Sequence, residues 1–239
     1  MLSALEFFLL ILVAPAVSPL VFIGLVRRLG VEELRSRAVH AVVYGALIAT
    51  VIVILLNAGF ILGLRGIAGS SLTSGAILLA LVFAPFSEEF AKSAGLWLGW
   101  PSIGNPAEGF ALGVAAGFGF AAAEVFGIAV VHLAEGGAFD ISALSVVLTG
   151  FAAFLLHGTA TGILGYGIGP HVARTMAPRL LFTYLIAVGL HASFNFLFSL
   201  GEGLSPLPLT QNAGAATAVG FGGLAFWLVL RRVKGPTSR

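Results

Sequence analysis

The stretch AEGFALGVAAGFGFAAAEVFGIAVV, residues 107–131, carries only two charged side chains, Glu108 in its first turn and Glu124 towards its far end. A bilayer core of about 30 Å is crossed by roughly 20 helical residues. This run is long enough to span it and far too long for a buried strand. Working outward, six more runs of the same kind lie at approximately 4–26, 38–61, 75–99, 142–167, 180–200 and 212–232. The pattern predicts an all-α polytopic membrane bundle of about seven transmembrane helices. Short connections make it a single transmembrane domain over 1–239, with the polar core in about 75–200 and helices one, two and seven peripheral.

Composition agrees. Of 239 residues, 59% are hydrophobic and 9% are charged, against about a quarter charged in a soluble domain. Mean hydropathy is +1.06, and the 32 glycines suit helices that approach closely in lipid. This excludes a nucleic-acid partner, a secreted disulfide scaffold and a cytosolic enzyme. The chain has no cysteine, so thiolate chemistry and Cys-ligated metal are excluded too.

Basic residues predict the orientation, because short cytoplasmic loops collect Lys and Arg. Arg27, Arg28, Arg35 and Arg37 follow the first run, Arg174 and Arg179 precede the sixth, and Arg231, Arg232, Lys234 and Arg239 end the chain. Arg65, Glu135, Asp140 and Glu202 fall on the alternate side. The first run has Arg27 and Arg28 after its apolar stretch and no base before it, which reads as a retained helix and not a secretory signal. The expected topology is N-out, C-in. Trp97, Trp100, Tyr166, Tyr184 and Trp227 read as anchors at the headgroup level.

Ionisable groups inside a membrane cost on the order of 3 kcal/mol each and mark function. The third run holds Glu88, Glu89 and Lys92, the fourth Glu124, the fifth His157 and the sixth His191. Glu88 and Lys92 are four apart and share a helix face, and Glu89, three from Lys92, can share the base. Gly109, Gly113, Gly117 and Ala121 form a ridge that admits a neighbouring backbone, and Glu124 continues it. Gly158 and Gly162 make a similar stripe beside His157, which shares its face with Thr161, as His191 does with Asn195. Asn57 in the second run reads as helix–helix glue. Three carboxylates against one ammonium leave a charge excess that a buried site resists. Shared protons among these groups suit general acid–base chemistry or proton transfer.

Four segments, taken in order, resemble the PrsW family of intramembrane glutamic proteases: Ser87-Glu88-Glu89-Phe90-Ala91-Lys92, Gly117-Phe118-Gly119-Phe120-Ala121-Ala122-Ala123-Glu124, His157 with its Gly-rich continuation, and His191-Ala192-Ser193-Phe194-Asn195. That family is related to the type II CAAX prenyl endopeptidases and to the Aph scaffold subunit of gamma-secretase. The resemblance covers about residues 84–200. It implies peptide hydrolysis within the bilayer, with Glu88 and Glu89 as the catalytic acids; His157, His191 and Asn195 are read as completing the catalytic set and Lys92, Glu124 and Thr161 as supporting it, in a multi-pass protein of a prokaryotic cell membrane. It implies no obligatory cofactor, and membrane-anchored proteins such as anti-sigma factors as substrates. The chain departs from the family pattern at Val125, where many members have Asn, and at Asn195, where Asp is common.

On this reading Glu88, or Glu89 in its place, takes a proton from a water held against His157. His191 and Asn195 donate to the oxyanion, and Lys92 orients the acid. Three alternatives use the same residues. They are a metal-dependent protease with zinc on the glutamates and histidines, though without H-E-x-x-H spacing, a proton-coupled transporter, and a non-catalytic scaffold.

Overall fold

The computed structural model describes residues 2–68, 78–99, 103–134, 143–168, 172–200 and 211–233. Trp100, Glu135, Asp140, His171, Glu202, Lys234 and Arg239 lie outside the described residues, as do the side chains of Trp97, His132 and Arg174. The described chain is helical, with α1 (Ala4–Ile11), α2 (Val13–Leu29), α3 (Arg35–Val43), α4 (Thr50–Ala68), α5 (Ala84–Gly99), α6 (Pro106–Ala134), α7 (Ala143–Ile168), α8 (Val172–Ser199) and α9 (Gln211–Arg232). In lipid every backbone group must be satisfied within the segment, which leaves helices as the outcome for such runs.

Among the described residues six helical runs are long and apolar enough to cross a membrane: Leu5–Leu29, Glu32–Arg65, Pro106–Val131, Ala143–Ile168, Arg179–Ser199 and Asn212–Arg232. They match six of the seven expected runs. The remaining expected run is the helix through 78–99, set apart by its three ionisable residues. Helix α1 starts on a capping box, in which the Glu6 backbone N–H donates to Ser3 Oγ while Glu6 Oε2 accepts from the Ser3 N–H. Helix α2 stops at Gly30, whose φ of 64° is open to glycine, and the Val31 N–H closes the turn on Val26 O at 3.0 Å.

Two wide π turns interrupt the runs, Tyr44–Ala49 between α3 and α4 and Leu79–Phe83 ahead of α5. Such turns insert a residue into the helical ladder and concentrate at functional sites. In the second, the pattern would pair Ala80 O with the backbone N–H of residue 85, but Pro85 has none.

Helices α6 and α7 form the centre of the bundle. A Cβ on Gly109, Gly113 or Gly117 would collide with the carbonyl oxygens of Gly165, Thr161 or His157 respectively, so the glycine ridge brings the two backbones together. Gly158 and Gly162 accept the rings of Phe118 and Phe110 from α6. On its other side α6 meets the second span in the same way, with Gly119 against Val42 O and Gly45 against Ala116 O. A buried cluster of Leu29, Val31, Leu34, Ile103 and Val233 gathers the ends of α2, α3, α6 and α9. Arg27, Arg28, Arg35, Arg37 and Arg231 therefore stand at one end of the bundle, as the alternation of basic segments predicts.

Candidate active site

Among the described residues, Glu88, Glu89, Lys92, Glu124, His157 and His191 come together between α5, α6, α7 and α8. Glu89 and Lys92 are wholly inaccessible, and Glu88, His157 and His191 are buried as well. Helical spacing brings the α5 residues together. Lys92 Nζ donates to Glu89 Oε1 at 2.7 Å and stands 3.7 Å from Glu88 Oε2. The same ammonium reaches α7, where it lies 2.8 Å from His157 Nδ1.

A lysine ammonium carries only donors, so His157 Nδ1 accepts and the ring proton sits on Nε2. That Nε2–H donates to Glu124 Oε2 at 2.8 Å. The two bonds hold His157 in one tautomer and one orientation. On α8, His191 Nδ1 donates to Glu89 Oε1 at 2.9 Å. In the neutral ring this leaves a lone pair on Nε2, and that nitrogen faces Glu88 Oε2 across 3.6 Å. The Glu88 atom is buried and has no hydrogen-bond partner among the described residues. Two acceptors thus face one another, a contact that only a shared proton, a water or a cation makes favourable. Glu88 Oε2 is 4.0 Å from His157 Nδ1, and the two imidazole rings lie at 82° with centroids 5.1 Å apart.

Asn195 donates through Nδ2 to Ala80 O at 2.8 Å. This is the carbonyl that Pro85 leaves without its partner in the π turn. An amide nitrogen has two N–H groups, so one remains. Thr161 is buried one turn beyond His157, and its Oγ1 has no partner among the described residues. Asn57 meets Ser87, whose Oγ is 2.7 Å from Asn57 Oδ1 and 3.1 Å from Ala84 O. The expected glue residue therefore fastens the second span next to Glu88.

Three aromatic residues stand at the site although no sequence expectation placed them there. The Phe120 ring meets His157 edge-on at 5.0 Å and lies 4.4 Å beneath Lys92 Nζ. It is four residues before Glu124, so its position on the same face was readable from the spacing. Tyr44 OH donates to Ala91 O at 3.1 Å, and no pattern in the second span announces it. Tyr184 departs from the headgroup-anchor reading. It is half-buried against α5, where its hydroxyl donates to Phe86 O at 2.8 Å.

The geometry also admits a cation. Ligand atoms of Glu88, His157 and His191 all lie within 4.8 Å of one another, with all three residues buried. Glu124 and Glu89 hold the remote nitrogens of the two imidazoles, as outer-shell carboxylates do around metal-bound histidines. The donor set and the orphaned Glu88 oxygen fit a divalent metal. The Lys92 ammonium, however, already engages the inward nitrogen of His157.

No curated protein and no solved structure matches the chain. A family model described as "PrsW family intramembrane metalloprotease" matches residues 33–228, well over half of the chain, and takes in every residue of the buried cluster. That description names a metal-dependent enzyme where the resemblance seen in the sequence implied a glutamic one. An all-helical bundle that gathers Glu88, Glu89, Lys92, His157 and His191 in its interior, with Glu124 half-buried beside them, is in keeping with that match, and the chain belongs to the PrsW family of intramembrane proteases.

Proposed function

We propose that this intramembrane peptidase activates its water at Glu88, opposite His191, and cleaves the transmembrane segments of membrane-anchored proteins. The observation that carries the reading is the pair of facing acceptors, Glu88 Oε2 and His191 Nε2, at 3.6 Å. A water set to one side of the pair, within hydrogen-bond reach of both atoms, gives one hydrogen to each and turns an oxygen lone pair outward. Glu88 takes its proton as the oxygen attacks the scissile carbonyl. The same proton then passes to the leaving nitrogen as the C–N bond breaks. His157 is the less suited partner for this water, because Lys92 engages its inward nitrogen.

Glu89 holds the His191 tautomer, and Glu124 holds that of His157. The free N–H of Asn195, one turn from His191, supplies a donor for the oxyanion, a contribution of about 3 kcal/mol per donor in other hydrolases. Thr161 lies one turn along α7 and supports the same wall. The arginine-bearing end faces the cytoplasm in this reading, and the setting is the multi-pass protein of a prokaryotic cell membrane. Anti-sigma-factor-like regulators are the expected substrates.

A second reading rests on the convergence of Glu88, His157 and His191 within 4.8 Å. These three residues would hold a divalent cation once Lys92 releases His157 Nδ1. A bound cation would supply Lewis-acid polarisation of the carbonyl and an acidified water.

The test incubates purified protein in vesicles with a panel of single-span peptides and follows cleavage by mass spectrometry. Glu88→Gln is expected to lose at least a hundredfold, the lower bound for a general base. Cleavage that survives 1,10-phenanthroline and EDTA supports the first reading. Cleavage lost to the chelator and restored by zinc supports the second. Undiminished cleavage by Glu88→Gln defeats both.

A further inference from the structure

Away from the active site, α2 and α3 splay apart over α6 and leave a groove of about 450 Å³. Pro19 and Phe22 form one wall, Val39 and Val42 the other, and Phe118 lies on the floor. Ser18 also lines it, but its hydroxyl proton is spent on Pro15 O at 2.9 Å, so the interior offers an occupant almost entirely apolar surface.

One charged residue borders the groove, Arg35, at its arginine-bearing end. Arg35 is exposed and makes no ion pair among the described residues, whereas Arg37 is drawn to Glu108 at 3.9 Å. Around it, residues 27–37 carry four arginines against two exposed glutamates, Glu32 and Glu33.

The shape selects among occupants. The groove follows α3 from Arg35 to Val43, about 12 Å at 1.5 Å per residue. With walls on α2 and α3 and a floor on α6, the groove holds a slender occupant on three sides. A methylene chain fits within it. A chain seated there from the arginine-bearing side would carry its headgroup beside Arg35.

We propose that this groove is a binding site for an anionic phospholipid of the leaflet at the arginine-bearing end, with one acyl chain between α2 and α3 and the phosphate at Arg35. Basic pockets between spans at the cytoplasmic face bind anionic headgroups in this manner. The site is separate from the peptidase centre, and nothing in it depends on how the water is activated.

The test loads full-length protein in nanodiscs of equimolar phosphatidylglycerol and phosphatidylcholine with matched chains. Lipids that stay bound on transfer to detergent are then counted by native mass spectrometry. Wild type is expected to retain phosphatidylglycerol about five-fold over phosphatidylcholine, the roughly 1 kcal/mol that one arginine contributes near an anionic headgroup. Arg35→Gln is expected to bring the ratio to that supplied. Val39→Trp, which fills the groove and keeps the arginine, is expected to reduce retained lipid of both kinds. Retention by wild type in the supplied ratio would overturn the proposal. So would a preference that persists in both variants, with peptidase activity serving as the control for folding.

Discussion

Gly117 on α6 lies directly against the carbonyl oxygen of His157 on α7, so closely that a Cβ at this position would overlap it. The neighbouring Glu124–His157 bond of 2.8 Å spans the same interface. Glycine here sets the distance across which the acid holds the imidazole.

Gly117→Ala is therefore expected to push α6 and α7 apart and to cost both stability and activity. Overpacking of this kind costs about 1–3 kcal/mol. Gly127, on the same helix, has nothing within 4 Å of where a Cβ would stand, and Gly127→Ala should be neutral. Thermal unfolding in detergent, run beside the cleavage assay, separates the two outcomes. Equal melting temperatures for both variants would remove the close-packing argument.

Lys92 and Glu89 are bonded at 2.7 Å with neither reachable by solvent. Breaking such a pair on one side leaves a buried charge uncompensated, at about 3–5 kcal/mol. Lys92→Met is expected to be severely destabilised. Lys92→Met combined with Glu89→Gln should regain much of that loss while remaining inactive. A double-mutant cycle on melting temperature measures the difference, and additive losses would argue that the pair is not coupled.

Glu124 acts on His157 alone among the described groups to which it is bonded. Glu124→Leu leaves the Nε2–H without an acceptor, so the ring loses its fixed tautomer. Outer-shell carboxylates of this kind are worth about 10- to 100-fold in activity. The expected signature is a drop in kcat of that size with KM nearly unchanged. A rise in KM at constant kcat would instead assign Glu124 to substrate binding.

Helix α8 is pinned to the helix of the glutamates at two points, Asn195 to Ala80 O and Tyr184 to Phe86 O, both at 2.8 Å. Hydrogen bonds between spans contribute about 0.6 kcal/mol on average and up to about 1.7. Tyr184→Phe should lower stability by an amount in that range. Asn195→Ala should do the same and also reduce kcat through its second N–H. A Tyr184→Phe protein with wild-type stability would show that its hydroxyl is not holding the helices together.

The parts of this architecture that follow from backbone satisfaction were open to reading in the sequence. Runs such as 107–131 admit only helices in lipid, and the four-residue recurrence of Gly109, Gly113 and Gly117 marks the face that meets another backbone. The Glu88/Glu89/Lys92 spacing puts the α5 charges in one place for the same helical reason. Rotation of each helix about its own axis is a property of the packed bundle, and here the reading ran out. Nothing local to α7 or α8 says that His157 faces Lys92 while His191 faces Glu88. Tyr184 shows the same limit. Its place near a span end fits an interface anchor, and only the approach of α8 to α5 turns its hydroxyl towards Phe86.

The wide turn at Leu79–Phe83 reaches beyond its own five residues. It offsets the angular phase of the helix by roughly the 100° that one residue occupies, so the stripe before Pro85 and the stripe after it do not lie on one continuous line. An amphipathic wheel drawn straight through 78–99 would assign part of this segment to the wrong side. In a chain with a regular helix here, the residues ahead of the turn would point about 100° away from where they point in this one.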